Sequence, residues 1–231
     1  MTTYVLVPGG WLGGWAWDKV ADKLRAGGHE AIGVTLTGES LNDHIASVIE
    51  AIGDREDVVL VGQSYGGTPV TGAADRIPER ISRLVFVESA PLPAGMAAAD
   101  FAGPEGRAAM EQLVVDGMYP LPDWDTVAAM GNSLEGLDEE MLAEFREKAV
   151  ALPWRAMTDP LELPGPGRGA MPCDLVACSI PLPLIKELAE AGNPLFATVL
   201  GPEWTIHELP TGHWPMFSRP DDLADLLAKL S

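Results

Sequence analysis

Two hydrophobic periodicities alternate along the first ninety residues. Short continuous apolar runs near 3–7, 31–35, 58–61 and 83–87 have the length and β-branched content of buried strands. Between them, segments near 15–26, 42–52 and 68–76 repeat apolar residues at helical spacing. This alternation predicts an α/β fold: a parallel sheet joined by right-handed crossovers, with helices on both faces. From Pro91 to about Met171 the pattern breaks. Pro, Gly, Met and Trp become frequent there, and one amphipathic helix, near 138–151, stands among irregular segments. Strands then resume near 173–178 and 205–209, with a helix near 183–191 between them. A final helix near 220–230 opens with proline and acids. The expected organisation is a core built from residues 1–90 and 171–231, with a largely helical lid insertion at 91–170. No internal repeat interrupts it.

Composition narrows the functional classes. A chain of 231 residues with 47% apolar content is long enough to bury one full α/β core. No apolar run approaches the roughly 18–20 residues of a membrane span, and the N-terminus lacks the basic flank of a signal peptide, so a cytoplasmic location is expected. The formal charge of −19 opposes nucleic acid and anionic membranes as partners, since both require clustered Lys and Arg. Cys173 and Cys178 lie too close along one predicted strand to bridge each other and read as core thiols.

The most specific chemical signal is Gly62-Gln63-Ser64-Tyr65-Gly66-Gly67, directly after the apolar run 58–61. Gly-x-Ser-x-Gly between a strand and a helix describes a tight turn that lifts the serine hydroxyl clear of the sheet. Its glycines are needed where neighbouring backbone passes close. Serine is a weak nucleophile until a base takes its proton, and an imidazole in turn needs an acid to fix its tautomer. Of the four histidines, His29 follows a helix exit, His44 sits inside a helix pattern and His207 lies within the last strand pattern. His213 lies in Pro210-Thr211-Gly212-His213-Trp214-Pro215, a loop after the last strand, on the sheet edge from which Ser64 emerges. It is the expected base. A dinucleotide site fails on inspection, because Gly9-Gly10-Trp11-Leu12-Gly13-Gly14 does not contain Gly-x-Gly-x-x-Gly.

With these residues in view, the chain resembles the α/β-hydrolases, in particular the small serine hydrolases related to plant methylesterases and hydroxynitrile lyases. The matching segments are Val5 through Trp11, Trp15-Ala16-Trp17, Val34 through Gly38, the Ser64 turn and Thr211-Gly212-His213. The relatives usually carry His-Gly where this chain has Pro8-Gly9. The resemblance implies an α/β-hydrolase fold and an oxyanion hole formed by the N–H groups of Tyr65 and Gly10, with Trp11 lining the acyl pocket. Many members place the acid after the strand that follows the insertion, where this chain reads Cys178-Ser179-Ile180-Pro181 and offers none. The position used in other branches, after the strand following the nucleophile helix, holds Glu88. Asp174 is the chief alternative, and a dyad without an acid is the third.

The resulting expectation is a cofactor-free, metal-free serine hydrolase acting on a small-molecule ester, a methyl ester or another ester of a bulky apolar or aromatic compound. Met96, Met110, Met118, Tyr119, Trp124, Met130, Trp154 and Met157 are available in the insertion to line an apolar pocket, with Trp124 and Trp154 the preferred candidates and Trp214 joining them from the histidine loop. Two rivals remain. A hydroxynitrile-lyase-like C–C lyase would need the lysine and threonine that its group usually has where Trp214 and Gly9 stand here. A non-catalytic small-molecule receptor would keep the pocket without turnover.

Overall fold

A computed structural model describes residues 1–230. Its main sheet has six strands: β1 (Thr3–Val7), β2 (Glu30–Gly33), β3 (Val58–Gln63), β4 (Ile81–Val87), β7 (Cys173–Ala177) and β8 (Trp204–Glu208). They are arranged β2-β1-β3-β4-β7-β8, and every neighbouring pair is parallel. Burial on both faces explains their continuous apolar character. In β3, Val58 and Leu60 pack into one core and Val59 and Val61 into the other. The first core includes Ile45 and Val48 of α2 (Leu41–Ile52) and Val70 of α3 (Gly67–Arg76). The second includes Val20 and Leu24 of α1 (Asp18–Ala26), and Leu223 and Leu227 of α10 (Pro220–Ala228). α8 (Leu182–Glu190) adds Ile185 to the first core.

Because β2 and β3 flank β1 on opposite sides, the order reverses at β1. In an open α/β sheet, the crevice beyond the carboxyl ends of the strands at such a reversal is where ligands bind. The loop after β1 and the turn after β3 meet there.

The helix expected at 15–26 begins as a 3₁₀ turn over Gly14–Trp17 and becomes α-helical only at Asp18. The strand expected at 31–35 stops at Gly33, where the backbones touch: a Cβ on Gly14 would lie 2.6 Å from the Gly33 carbonyl oxygen.

Between β4 and β7 lie α4 (Gly103–Glu111), α5 (Trp124–Ala129), α6 (Glu139–Lys148) and α7 (Trp154–Thr158), with a two-residue antiparallel ribbon of β5 (Met118–Tyr119) and β6 (Leu152–Pro153). Asp123 and Asp138 cap α5 and α6, each accepting a backbone N–H at 2.8 Å. α9 (Pro215–Ser218) follows the His213 loop. Among the described residues, no helix is long and apolar enough to cross a membrane.

Candidate active site

Ser64 leaves β3 with φ of 50°, a left-handed conformation rare outside glycine. Close backbone packing enforces the turn. A Cβ on Gly62 would sit 2.8 Å from the Gly66 carbonyl oxygen, and one on Gly66 would sit 2.6 Å from that of Pro8. The Ser89 hydroxyl donates to the Ser64 carbonyl at 2.6 Å and holds the turn from the β4 side. Trp11 and Glu88 also have positive φ, 66° and 49°. Three strained non-glycine residues therefore gather on three adjacent strand ends, the kind of clustering that accompanies functional sites.

The structure brings Ser64, His213 and Glu88 into one chain of hydrogen bonds. Ser64 Oγ lies 2.8 Å from His213 Nε2, and His213 Nδ1 lies 3.2 Å from Glu88 Oε2. The side chains of Glu88 and His213 are only 1% and 13% exposed. A buried carboxylate is costly unless its lone pairs are filled, and here they are: Oε1 accepts the N–H of Cys178 at 2.6 Å and of Ser179 at 2.9 Å, while Oε2 accepts the Ser179 hydroxyl. Burial acts to raise the Glu88 pKa. Hydrogen bonds from His213, Ser179 and Cys178, together with the charge interaction with His213, outweigh it and hold the carboxyl below its ordinary value. The segment after β7, which lacks a carboxylate, thus contributes backbone donors to the one that β4 supplies.

Asp174 is engaged elsewhere. It lies within β7, where Arg83 meets its carboxylate at 2.7 Å and His207 meets it at 2.7 Å, so of the two acids only Glu88 reaches His213. His44 is buried in α2 with Nδ1 2.7 Å from the Tyr65 hydroxyl, and His29 packs edge-on against Tyr4.

One residue of the site was not singled out from the sequence. Gln63, fully buried, accepts the Gly9 N–H at 3.0 Å and donates to the His213 carbonyl at 2.8 Å. A single side chain therefore ties the loop after β1 to the histidine loop. Its signal was a polar residue inside an otherwise apolar strand end, which the surrounding serine motif masked.

Ser64 and His213 open onto a cavity of about 290 Å³. Gly10 and Tyr65 border it, and the Tyr65 N–H belongs to the first turn of a helix, where N–H groups lack intrahelical acceptors. Trp11 and Trp214 also border it. Of the insertion residues considered, Met110, Tyr119, Met130 and Met157 line the cavity. Trp124 and Trp154 do not, which corrects the expectation. The Trp124 ring packs on Phe145 at 5.3 Å with the Arg146 guanidinium above it at 4.7 Å, in the aromatic core beside Phe217. Trp154 instead packs against Tyr119, at 6.0 Å, one layer outside the wall. No group of three His, Cys, Asp or Glu side chains among the described residues is placed to hold a metal ion.

Comparison with known proteins identifies the family. The model of the alpha/beta hydrolase family matches residues 4–226. A carbendazim hydrolyzing esterase of Nocardioides sp. is 31% identical over 264 residues of alignment, covering 100% of both chains. Methylesterase 9 of Arabidopsis thaliana is 38% identical over 103 residues, 38% of this chain and 40% of the plant protein. Among solved structures, an extracellular alpha/beta-hydrolase from a Paenibacillus species superposes with a TM-score of 0.82 at 22% identity, covering 99% of this chain and 98% of that one, a likeness of fold. With the family model spanning nearly its whole length and a relative aligned end to end, the chain belongs to the alpha/beta hydrolase family.

Proposed function

We propose that this protein is a cofactor-free serine hydrolase that cleaves a carboxylic ester through an acyl-enzyme. The observation that carries the reading is the continuous path from Ser64 Oγ through His213 to the buried Glu88 carboxylate, opening onto a cavity. Glu88 accepts the His213 Nδ1–H, which leaves the Nε2 lone pair facing the Ser64 hydroxyl. As Ser64 Oγ bonds to the ester carbon, His213 takes its proton and Glu88 stabilises the imidazolium. The carbonyl oxygen becomes an oxyanion, for which the N–H groups of Gly10 and Tyr65 are the assigned donors. His213 then returns the proton to the departing alcohol, leaving acyl-Ser64. Water repeats the sequence and releases the acid.

The esterase activity named for the Nocardioides relative supports an ester as substrate, and the plant methylesterases make methyl esters the first to assay. The segment between β4 and β7 acts in this reading as a lid, since it supplies most of the cavity's apolar wall. No observation favours the lyase, because Trp214, apolar and buried, occupies the place where that chemistry would need a lysine. Ser64→Ala should abolish hydrolysis of 4-nitrophenyl acetate and of methyl esters while leaving the fold intact. Undiminished turnover by a folded Ser64→Ala protein would exclude the serine mechanism.

A further inference from the structure

The cavity wall is mainly apolar, and most of its polar groups are already committed. Ser64 and His213 bond to each other, Glu88 has its oxygens filled, and the Ser89 hydroxyl donates to the Ser64 carbonyl. Beside the Trp214 indole N–H, two side chains on the wall are left with hydrogen-bonding capacity, and these two come from the segment between β4 and β7.

The first is Tyr119, whose residue as a whole is 1% exposed. Among the described residues, its hydroxyl donates only to the Met130 thioether, at 3.5 Å. Sulfur of that kind is a weak acceptor. Burial pushes the phenol up to about 12, so it stays protonated and available as a donor at neutral pH. Met130 itself borders the cavity, so the hydroxyl is directed towards a cavity-lining group. The second is Asn132. Its side-chain N–H reaches the Val127 carbonyl at 3.5 Å, the far limit of a hydrogen bond, and its Oδ1 accepts none from the described residues. Asn132 is held next to the catalytic loop, since the following residue, Ser133, accepts the His213 backbone N–H at 2.8 Å.

A buried donor left with so weak an acceptor is a standing cost, which a ligand group of matching polarity removes. Size is the second consideration. A space of about 290 Å³ is roughly twice that of a cavity known to hold benzene. One aromatic ring with its ester and one further substituent fits within it.

We propose that Tyr119 and Asn132 form a polar subsite that selects esters of a single aromatic ring carrying a hydrogen-bonding group away from the scissile carbonyl. The proposal deepens the esterase reading and rests on it for the word ester. The subsite itself is a binding feature, so it is testable without turnover.

The test is calorimetric binding to the Ser64→Ala protein of methyl benzoate and of its 3-hydroxy and 4-hydroxy derivatives. At least one hydroxylated ester should bind about tenfold more tightly than methyl benzoate, the worth of one well-made hydrogen bond to a buried group. Adding Tyr119→Phe, which keeps the ring packing against Trp11 and Trp154, should reduce the preference below about threefold. Asn132→Leu in the same background is an independent second variant and should reduce it as well. Equal affinity for all three esters would overturn the proposal, as would a preference that survives both variants. If the preference appears and falls as described while the wild-type protein turns over no ester, the esterase reading fails and the subsite stands.

Discussion

Replacing Glu88 by glutamine changes one atom and should remove most of the activity. Oε1 of Glu88 accepts two backbone N–H groups, from Cys178 and Ser179. An amide nitrogen cannot accept them, so the glutamine oxygen must stay there and its NH2 must take the place of Oε2, facing His213 Nδ1. Two N–H donors cannot share that contact. The imidazole responds by moving its proton to Nε2, which turns an N–H towards Ser64 Oγ where a lone pair is needed. Loss of the correct tautomer in such relays costs about 10⁴ in kcat, or about 5 kcal/mol of transition-state stabilisation. KM should move far less, since Glu88 acts through His213. Initial rates with 4-nitrophenyl acetate, alongside circular dichroism of the variant, measure this directly. Asp174→Asn is the control and should leave kcat near the wild-type value, because that carboxylate is bound to Arg83 and His207. A second readout follows from linkage. The folded-state pKa of Glu88 lies below its ordinary value, so its stabilising contribution is present above the unfolded pKa of about 4.3 and lost as pH falls through the folded value. Glu88→Gln should therefore flatten the acid-side decline of stability. A loss of less than about tenfold in kcat for Glu88→Gln, or a larger loss for Asp174→Asn, would refute the assignment of the acid.

Gln63→Leu removes the tie between the Gly9 N–H and the His213 carbonyl and leaves both without that partner; it should lower kcat with little change in KM and cost about 2–5 kcal/mol of stability by urea denaturation. A wild-type kcat would show that the two loops hold their places without it. Trp124→Ala should cost about 1–3 kcal/mol through its lost packing on Phe145, yet leave the ratio of kcat/KM for aromatic and acetate esters unchanged, as a thermal melt and paired kinetics will show.

The sheet was legible because its strands are buried on both faces, so Val58 to Val61 and Arg83 to Val87 stand out as apolar runs between helices with clear periodicity. Ser64 was legible for a related reason: the turn needs glycines at fixed offsets wherever backbone crosses backbone. His213 was marked by its loop after the last strand and Glu88 by the resemblance, while the choice among Glu88, Asp174 and no acid depended on which strand's end faces the histidine loop. That is a property of the assembled sheet, and Asp174 proves to face Arg83 and His207. The insertion was less readable. Its helices run from five to ten residues, too short for periodicity to separate an inner from an outer face. Flanking proline and polar residues made Trp124 look like a pocket residue, whereas its place was decided by Phe145 and Arg146, distant from it in sequence. Gln63 was hidden inside the motif that identified its neighbour.

The central claim is that Ser64 becomes covalently acylated by relay through His213. Intact-mass analysis after a fluorophosphonate probe, followed by peptide mapping, tests it most directly. One adduct per chain on Ser64, absent from Ser64→Ala and strongly slowed in His213→Ala, is the predicted result. An adduct on another residue, or labelling as fast in His213→Ala as in the wild type, would contradict it.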